Sequence, residues 1–225
     1  AALLTEIYAE AGLPPGVFNM LVGSGSVVGE AMVRSPVLRA ISFTGSNEVG
    51  GALYAKAAQR GAKVTCEMGG KNAVIVMADA DLDKAAIAIH GGAFGSTGQR
   101  CTATSRVIAS PMVKDALLDR LVASAKKLKL GSGLDESVDM GPAVDEKQWK
   151  TDLDYIQIGR QEGARLVLGG NKPEHLGKGY FVEPTIFDNV APTMRIFKEE
   201  IFGPVLTVSS ADSLDQALAF ANIVE

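Results

Sequence analysis

The chain has 225 residues, 47% of them apolar and 21% charged, with a formal net charge of −4 at pH 7. That length fits one large domain or two small ones, and a chain of this size buries roughly 70% of its unfolded surface. The acidic balance and the lack of a basic run interleaved with aromatics argue against a nucleic-acid partner, and no apolar stretch approaches the ~20 residues of a membrane span.

The first elements read as repeated helix–strand units. Residues 5–11 form a helix stopped by Gly12 and Pro14. A short strand is expected over 17–22 and a helix over 27–33. A strand follows over 38–44, a helix over 48–60 ended by Gly61, and a strand over 62–68. Such units fit half of a doubly wound, Rossmann-like sheet.

After Gly69-Gly70 the character shifts, and we expect a domain boundary there, with residues 1–69 on one side and 70–225 on the other. A strand over 73–77 precedes a helix capped by Asp81 and running to about Phe94. A strand is expected over 105–109 and a helix over 112–130, with Val113, Leu117, Leu121, Ala125 and Leu128 near helical period. Asp145 opens a helix with Trp149, Leu153 and Ile156 on one face, ended by Gly163. Strands follow over 165–168, 180–190 and 205–209, and Ser213-Leu214-Asp215-Gln216 has the pattern of a capping box opening a last helix. The alternation predicts an α/β fold. The chain begins and ends inside predicted helices without a signal-peptide pattern, as an internal piece of a longer protein does.

Two segments carry chemistry. Cys101 lies in a glycine-rich turn, Phe94-Gly95-Ser96-Thr97-Gly98-Gln99-Arg100-Cys101-Thr102-Ala103, between a helical run and a strand. Glu67 lies in Cys66-Glu67-Met68-Gly69-Gly70-Lys71, at the end of another strand. A nucleophilic thiol and a carboxylate base are half of an acyl-transfer site. Two glycine patterns compete for a nucleotide: Gly23-Ser24-Gly25-Ser26-Val27-Val28-Gly29, one residue too long for a dinucleotide fingerprint, and Gly45-Ser46-Asn47-Glu48-Val49-Gly50. Asp79-Ala80-Asp81-Leu82-Asp83 imitates a calcium loop, but Lys84 and His90 stand where the loop needs Gly and Glu, so a helix start and no metal are expected. The two cysteines have no CxxC spacing, and His90 and His175 have no ligand spacing. A reducing, cytoplasmic setting without disulfides follows as the expectation.

These motifs resemble the aldehyde dehydrogenase superfamily. The Glu67-Met68-Gly69-Gly70-Lys71 and Gly98-Gln99-Arg100-Cys101 segments look like its base and nucleophile motifs. Phe43-Thr44-Gly45-Ser46 looks like its cofactor segment and Glu199-Glu200-Ile201-Phe202-Gly203-Pro204 like its second cofactor segment. The resemblance implies residues 1–69 as the C-terminal half of a cofactor domain and 70–225 as a catalytic domain. It implies Cys101 as nucleophile, with the Cys101 backbone N–H as one oxyanion donor, and Glu67 as general base. It selects Gly45, Ser46 and Gly50 for the phosphates of NAD or NADP, Glu200 for the nicotinamide ribose and Phe202 for the ring face. It implies a small-molecule aldehyde substrate, hydrolytic release as a carboxylate, and a homo-oligomer at full length. Arg100, just before the nucleophile, resembles branches acting on acidic semialdehydes, such as those of keto acids, and is the candidate for the substrate's anionic end. Two other readings compete: a cysteine-dependent acyl hydrolase with a histidine base, which requires a Cys–His contact, and a catalytically silent piece of a dehydrogenase.

Overall fold

The computed structural model describes residues 1–224. The chain folds as two compact units, Ala1–Met68 and Gly69–Glu225.

In the first unit, α1 (Ala2–Glu10) is followed by a π-turn at Gly25–Gly29 leading into α2 (Glu30–Arg34), then β1 (Ala40–Gly45), α3 (Asn47–Ala58) and β2 (Lys63–Met68). The strands β1 and β2 are parallel, with Phe43 opposite Cys66 and Thr44 opposite Glu67. Alternation along β2 turns Val64 and Cys66 to the covered face and Thr65 and Glu67 outward. The expected strand over 17–22 does not form. A strand persists only where a neighbour takes its backbone groups, and among the described residues β1 and β2 pair only with each other. Val17, Leu21 and Val22 are accordingly left exposed.

The second unit carries a five-stranded sheet in the order β3-β4-β7-β6-β5. Its strands are β3 (Asn72–Val76), β4 (Thr104–Ala109), β5 (Arg165–Leu168), β6 (Thr185–Asp188) and β7 (Val205–Ser210). All neighbouring pairs are parallel except β5 with β6. Helices α4 (Leu82–Phe94) and α5 (Pro111–Ala125) bring Ile89, Phe94, Leu117 and Leu121 to one core, which Val107, Ile186, Leu206 and Val208 meet from the sheet. Helix α6 (Glu146–Gln161), the short α7 (Arg195–Lys198) and α8 (Leu214–Ala221) cover the other face, where Ile108, Phe187 and Val205 pack against Ile156, Ile196 and Phe197. Consecutive strand residues thus serve opposite cores, as in a sheet covered on both sides.

Side-chain caps set the helix starts. Asp81 accepts from the backbone N–H of Asp83 and Lys84, Ser110 from Met112, Asp145 from Gln148 and Ser213 from Gln216. The capping box of α8 closes differently from expectation: the Gln216 amide oxygen accepts from the Asp212 N–H, at 2.6 Å. Helix α5 ends at Ala125 and not near 130, because Leu128 and Leu130 reach the same core through a non-helical segment bridged to Met140. The strand expected over 180–190 shrinks to Thr185–Asp188, since Pro184 has no N–H for a ladder, although Phe181 and Val182 are buried beside it.

Candidate active site

Cys101 lies in the connection between α4 and β4. After Phe94 the chain makes one tight turn, Gly95–Gly98, in which Ser96, Thr97 and Gly98 hold φ of 53°, 59° and 68°. Left-handed backbone at two non-glycine residues is costly and persists only where surroundings over-determine it. Here they do. The buried Thr97 donates its hydroxyl to Gly141 O at 3.1 Å. Gln99 accepts from the Val144 N–H at 2.9 Å and donates to Pro142 O at 3.4 Å. A Cβ on Gly98 would lie 2.2 Å from Gly203 O, so only glycine fits against that carbonyl.

Beyond the turn, Ala103 N–H donates to Arg100 O at 2.9 Å, closing the backbone around Cys101. The Asn72 side-chain amide, at the start of β3, donates to Cys101 O at 2.7 Å and Ala103 O at 3.1 Å. Cys101 is exposed. A thiol with a fixed backbone and an open approach is placed to react. Cys66 differs: it is half-buried and its sulfur faces Gly50 O at 3.8 Å, under α3.

Glu200 and Phe202 belong to the loop between α7 and β7. One Glu200 carboxylate oxygen accepts from the Gly70 N–H at 3.0 Å. A Cβ on Gly69 would lie 2.0 Å from the other oxygen, so the paired glycines after Met68 are what lets this carboxylate lie against the chain. Phe202 holds a φ of 61° and keeps its ring partly exposed. Gly70, Gly98, Arg100, Ala103, Glu200 and Phe202 line one slot beside the Cys101 turn. Arg100 donates to Gly91 O at 3.0 Å, near the C-terminal end of α4.

The neighbouring glutamate has a different role. Glu199 accepts from the Tyr155 hydroxyl at 2.7 Å and from Arg195 Nη2 at 2.8 Å. Arg195 holds the Glu199 carboxyl below its usual range, and burial with the Glu199 contact pushes the Tyr155 phenol up to about 12. Behind the slot, Lys71 is buried, and its ammonium has no hydrogen-bond partner among the described residues. Burial, and after it the Arg106 guanidinium, push Lys71 down to about 7 against the pull of Glu200 and Glu199. Arg106 is itself buried. It donates to Lys71 O at 2.8 Å, Phe220 O at 3.1 Å and Ala221 O at 2.9 Å, and lies 4.7 Å over the Phe197 ring. Sequence reasoning missed Asn72 and Arg106. A lone arginine in the apolar run of β4 was the visible signal for Arg106. Nothing local marked Asn72, whose partners lie across the sheet.

In the first unit, Gly45 ends β1 and Ser46 caps α3, its hydroxyl accepting from the Val49 N–H at 3.4 Å. Gly50 is buried, and a Cβ there would meet Met68 Sδ at 2.5 Å, so this glycine seats α3 on β2. Glu67 lies on β2, exposed, on the face opposite Cys66. The structure therefore gathers Arg100, Cys101, Glu200 and Phe202 in the second unit, and holds Gly45, Ser46, Gly50 and Glu67 in the first. The Asp79–Asp83 run is a helix start, and no metal-binding group of three or more His, Cys, Asp or Glu occurs among the described residues. No described helix is long and apolar enough to cross a membrane.

A family model described as the aldehyde dehydrogenase family matches residues 1–225. The chain is 50% identical over 227 aligned positions to 2,5-dioxopentanoate dehydrogenase of Saccharolobus solfataricus, covering 100% of this chain and 47% of that protein. It is 48% identical to alpha-ketoglutaric semialdehyde dehydrogenase of Bacillus subtilis, covering 100% of this chain and 46% of the relative. Among solved structures it resembles an aldehyde dehydrogenase from Bartonella henselae, with a TM-score of 0.96 and 40% identity over 100% of this chain and 47% of the other. It also resembles 1-pyrroline-5-carboxylate dehydrogenase from Thermus with bound NAD, with a TM-score of 0.94 and 42% identity over 99% of this chain and 44% of that one. The chain thus spans about half the length of the curated relatives it matches.

Proposed function

The chain belongs to the aldehyde dehydrogenase family, and from that premise we propose that the whole protein oxidises an aldehyde to a carboxylate, with NAD or NADP as the hydride acceptor. The observation that carries this reading is the exposed Cys101 on a braced turn, beside a slot lined by Arg100, Glu200 and Phe202.

In this reading the Cys101 thiol first loses its proton to solvent, the thiolate sulfur bonds to the carbonyl carbon as the C=O π bond breaks, and the oxygen gains negative charge. The Cys101 N–H donates to no acceptor among the described residues, which leaves it free to meet that charge. Loss of hydride from the resulting thiohemiacetal carbon leaves a thioester on Cys101. Glu67 then takes a proton from water, the hydroxide displaces the sulfur, and carboxylate and thiol are released. The bound nicotinamide supplies the acceptor for the hydride. The residues present suit such a cofactor. Gly45 and Ser46 deliver the N-terminus of α3, whose first N–H groups suit a pyrophosphate, with Gly50 packing that turn onto β2. Glu200 keeps one carboxylate oxygen without a hydrogen bond among the described residues, suited to ribose hydroxyls, and Phe202 offers a partly exposed ring.

We assign the first unit to the cofactor and the second to catalysis. For the substrate we favour an acidic semialdehyde. Arg100 has guanidinium N–H groups beyond the one held by Gly91, and two relatives act, by name, on dioxopentanoate and alpha-ketoglutaric semialdehyde. The family likeness implies a homo-oligomer at full length, and two cysteines without CxxC spacing suit a reducing, cytoplasmic setting. The acyl-hydrolase alternative lacks its required contact. His90 shares a hydrogen bond with Ser124 at 3.0 Å, and neither histidine contacts Cys101 among the described hydrogen bonds.

The test is cofactor reduction, followed by absorbance, across a panel of aldehydes. Acidic semialdehydes should show the highest kcat/KM, and R100M should lower it for these and spare neutral alkanals. Equal preference in the wild type removes the assignment of Arg100.

A further inference from the structure

Asp152, on α6, is completely buried, and nothing in the mechanism above uses it. One carboxylate oxygen accepts from Gln148 Nε2 at 2.7 Å, and the other has no partner among the described residues. The same Gln148 nitrogen donates to Ile201 O at 2.8 Å. A Cβ on Gly203 would lie 2.1 Å from one Asp152 oxygen and 2.7 Å from the other, so the carboxyl lies across the open face of that glycine. On its carbonyl side Gly203 meets Gly98, where a Cβ would come within 2.2 Å of Gly203 O. Phe202, immediately before, holds its left-handed φ of 61°. Gly203 is therefore the shared wall between the loop carrying Glu200 and Phe202 and the turn leading to Cys101.

We propose that Asp152 is a positioning residue: with Gln148 it seats the Ile201–Gly203 turn, and through the Gly203–Gly98 contact it fixes the cofactor loop and the nucleophile turn relative to each other. The proposal rests on the functional reading above. A buried carboxyl would be poor core material if packing were its only purpose, since an apolar residue of like size needs no partner for its second oxygen. Burial pushes Asp152 up to about 7, so a large share of it carries its proton at neutral pH, which lets a carboxyl lie against a backbone without a counter-ion. Small displacements of reacting groups cost large factors in rate, which is why a contact remote from the chemistry is worth retaining.

The test uses the whole protein, with alkylation followed by mass spectrometry on the peptide that contains Cys101. D152A should raise the KM for the cofactor about tenfold and slow iodoacetamide modification of Cys101, as expected for lost positioning. D152N, which keeps the planar shape and the acceptor for Gln148, should stay within about twofold of wild type, a rescue that a purely charge-based role does not give. In D152A/G203A the new methyl occupies the vacated face and should recover part of the loss. Wild-type KM and alkylation rate in D152A, or equal impairment in D152N, overturns the proposal. If D152A fails to fold, G203A alone decides, because its methyl must displace the carboxyl: an unchanged KM and alkylation rate there also overturns it. A wild-type protein without cofactor-dependent oxidation instead removes the functional reading itself.

Discussion

Adjacent side chains of one type divide sharply in this protein, and the division is set by partners. Glu199 is taken up by Tyr155 and Arg195, whereas among the described residues the one hydrogen bond to the Glu200 carboxylate comes from the Gly70 N–H. The sequence offers two glutamates in a row and no local means to choose; the resemblance chose Glu200, and the contacts of Glu199 lie on α6 and α7. Lys71 is held buried without a hydrogen-bond partner among the described residues. With its folded pKa lowered to about 7, its charge is favoured less in the folded than in the unfolded state. The destabilisation is therefore absent above the unfolded value near 10.4, grows as pH falls toward the folded value, and is constant below it. K71M should accordingly raise the denaturation midpoint at pH 7 and lose that advantage as pH approaches 10.5; equal gains at both pH values contradict this account. Asp188 has the opposite sign. Burial alone raises it, but hydrogen bonds from Arg165 and Lys114 outweigh that and hold it below its usual value. Its contribution is present above the unfolded value near 3.9 and is lost as pH falls through the lower folded one. Removing the charge with D188N should cost on the order of 2 kcal/mol at neutral pH, by taking the carboxylate from the nearly buried Lys114, which keeps Asn189 Oδ1 at 3.0 Å and Asp115 at 3.8 Å. That deficit should shrink in urea titrations near pH 3.

At the level of elements, the turn that carries Cys101 depends on contacts distant in sequence. Its glycines were visible as a turn, and the cysteine as its product. Invisible were the braces: Thr97 to Gly141, Gln99 to Pro142 and Val144, and Asn72 to Cys101 O. G98A meets both a positive φ and the Gly203 carbonyl, so it should abolish rapid alkylation of Cys101. Circular dichroism should meanwhile show the α/β fold retained; unaltered alkylation contradicts the geometry. Helix starts were legible because caps are local. D81A should cost about 1 kcal/mol, read from denaturant midpoints, with no effect on Cys101. Strand existence was less legible where pairing decided it. Residues 17–22 have the composition of a strand and no ladder, while 180–190 contains a real one cut short at Pro184.

Over the whole chain, the two units differ in how much they bury. The second has a sheet covered on both faces, with two apolar cores. The first has a two-stranded sheet, and among its apolar side chains only Val33 and Ala57 are buried. Two-stranded sheets are marginal alone, so amides of β1 and β2 should exchange with deuterium well before those of β4 and β7 in this chain. Equal protection in the two sheets contradicts that ranking. The α/β class was legible throughout, because the alternation of periods survives in both units. The family was legible in motifs, and the catalytic roles proposed above take their meaning from family likeness and not from spacing alone. They converge on one covalent bond. In the whole protein with Glu67→Gln, aldehyde and cofactor should give a single burst of reduced cofactor, after which turnover stalls. Mass spectrometry of the quenched enzyme should then find the acyl group on the peptide containing Cys101. An enzyme that reduces cofactor while Cys101 stays unmodified, or carries the acyl group elsewhere, contradicts the account.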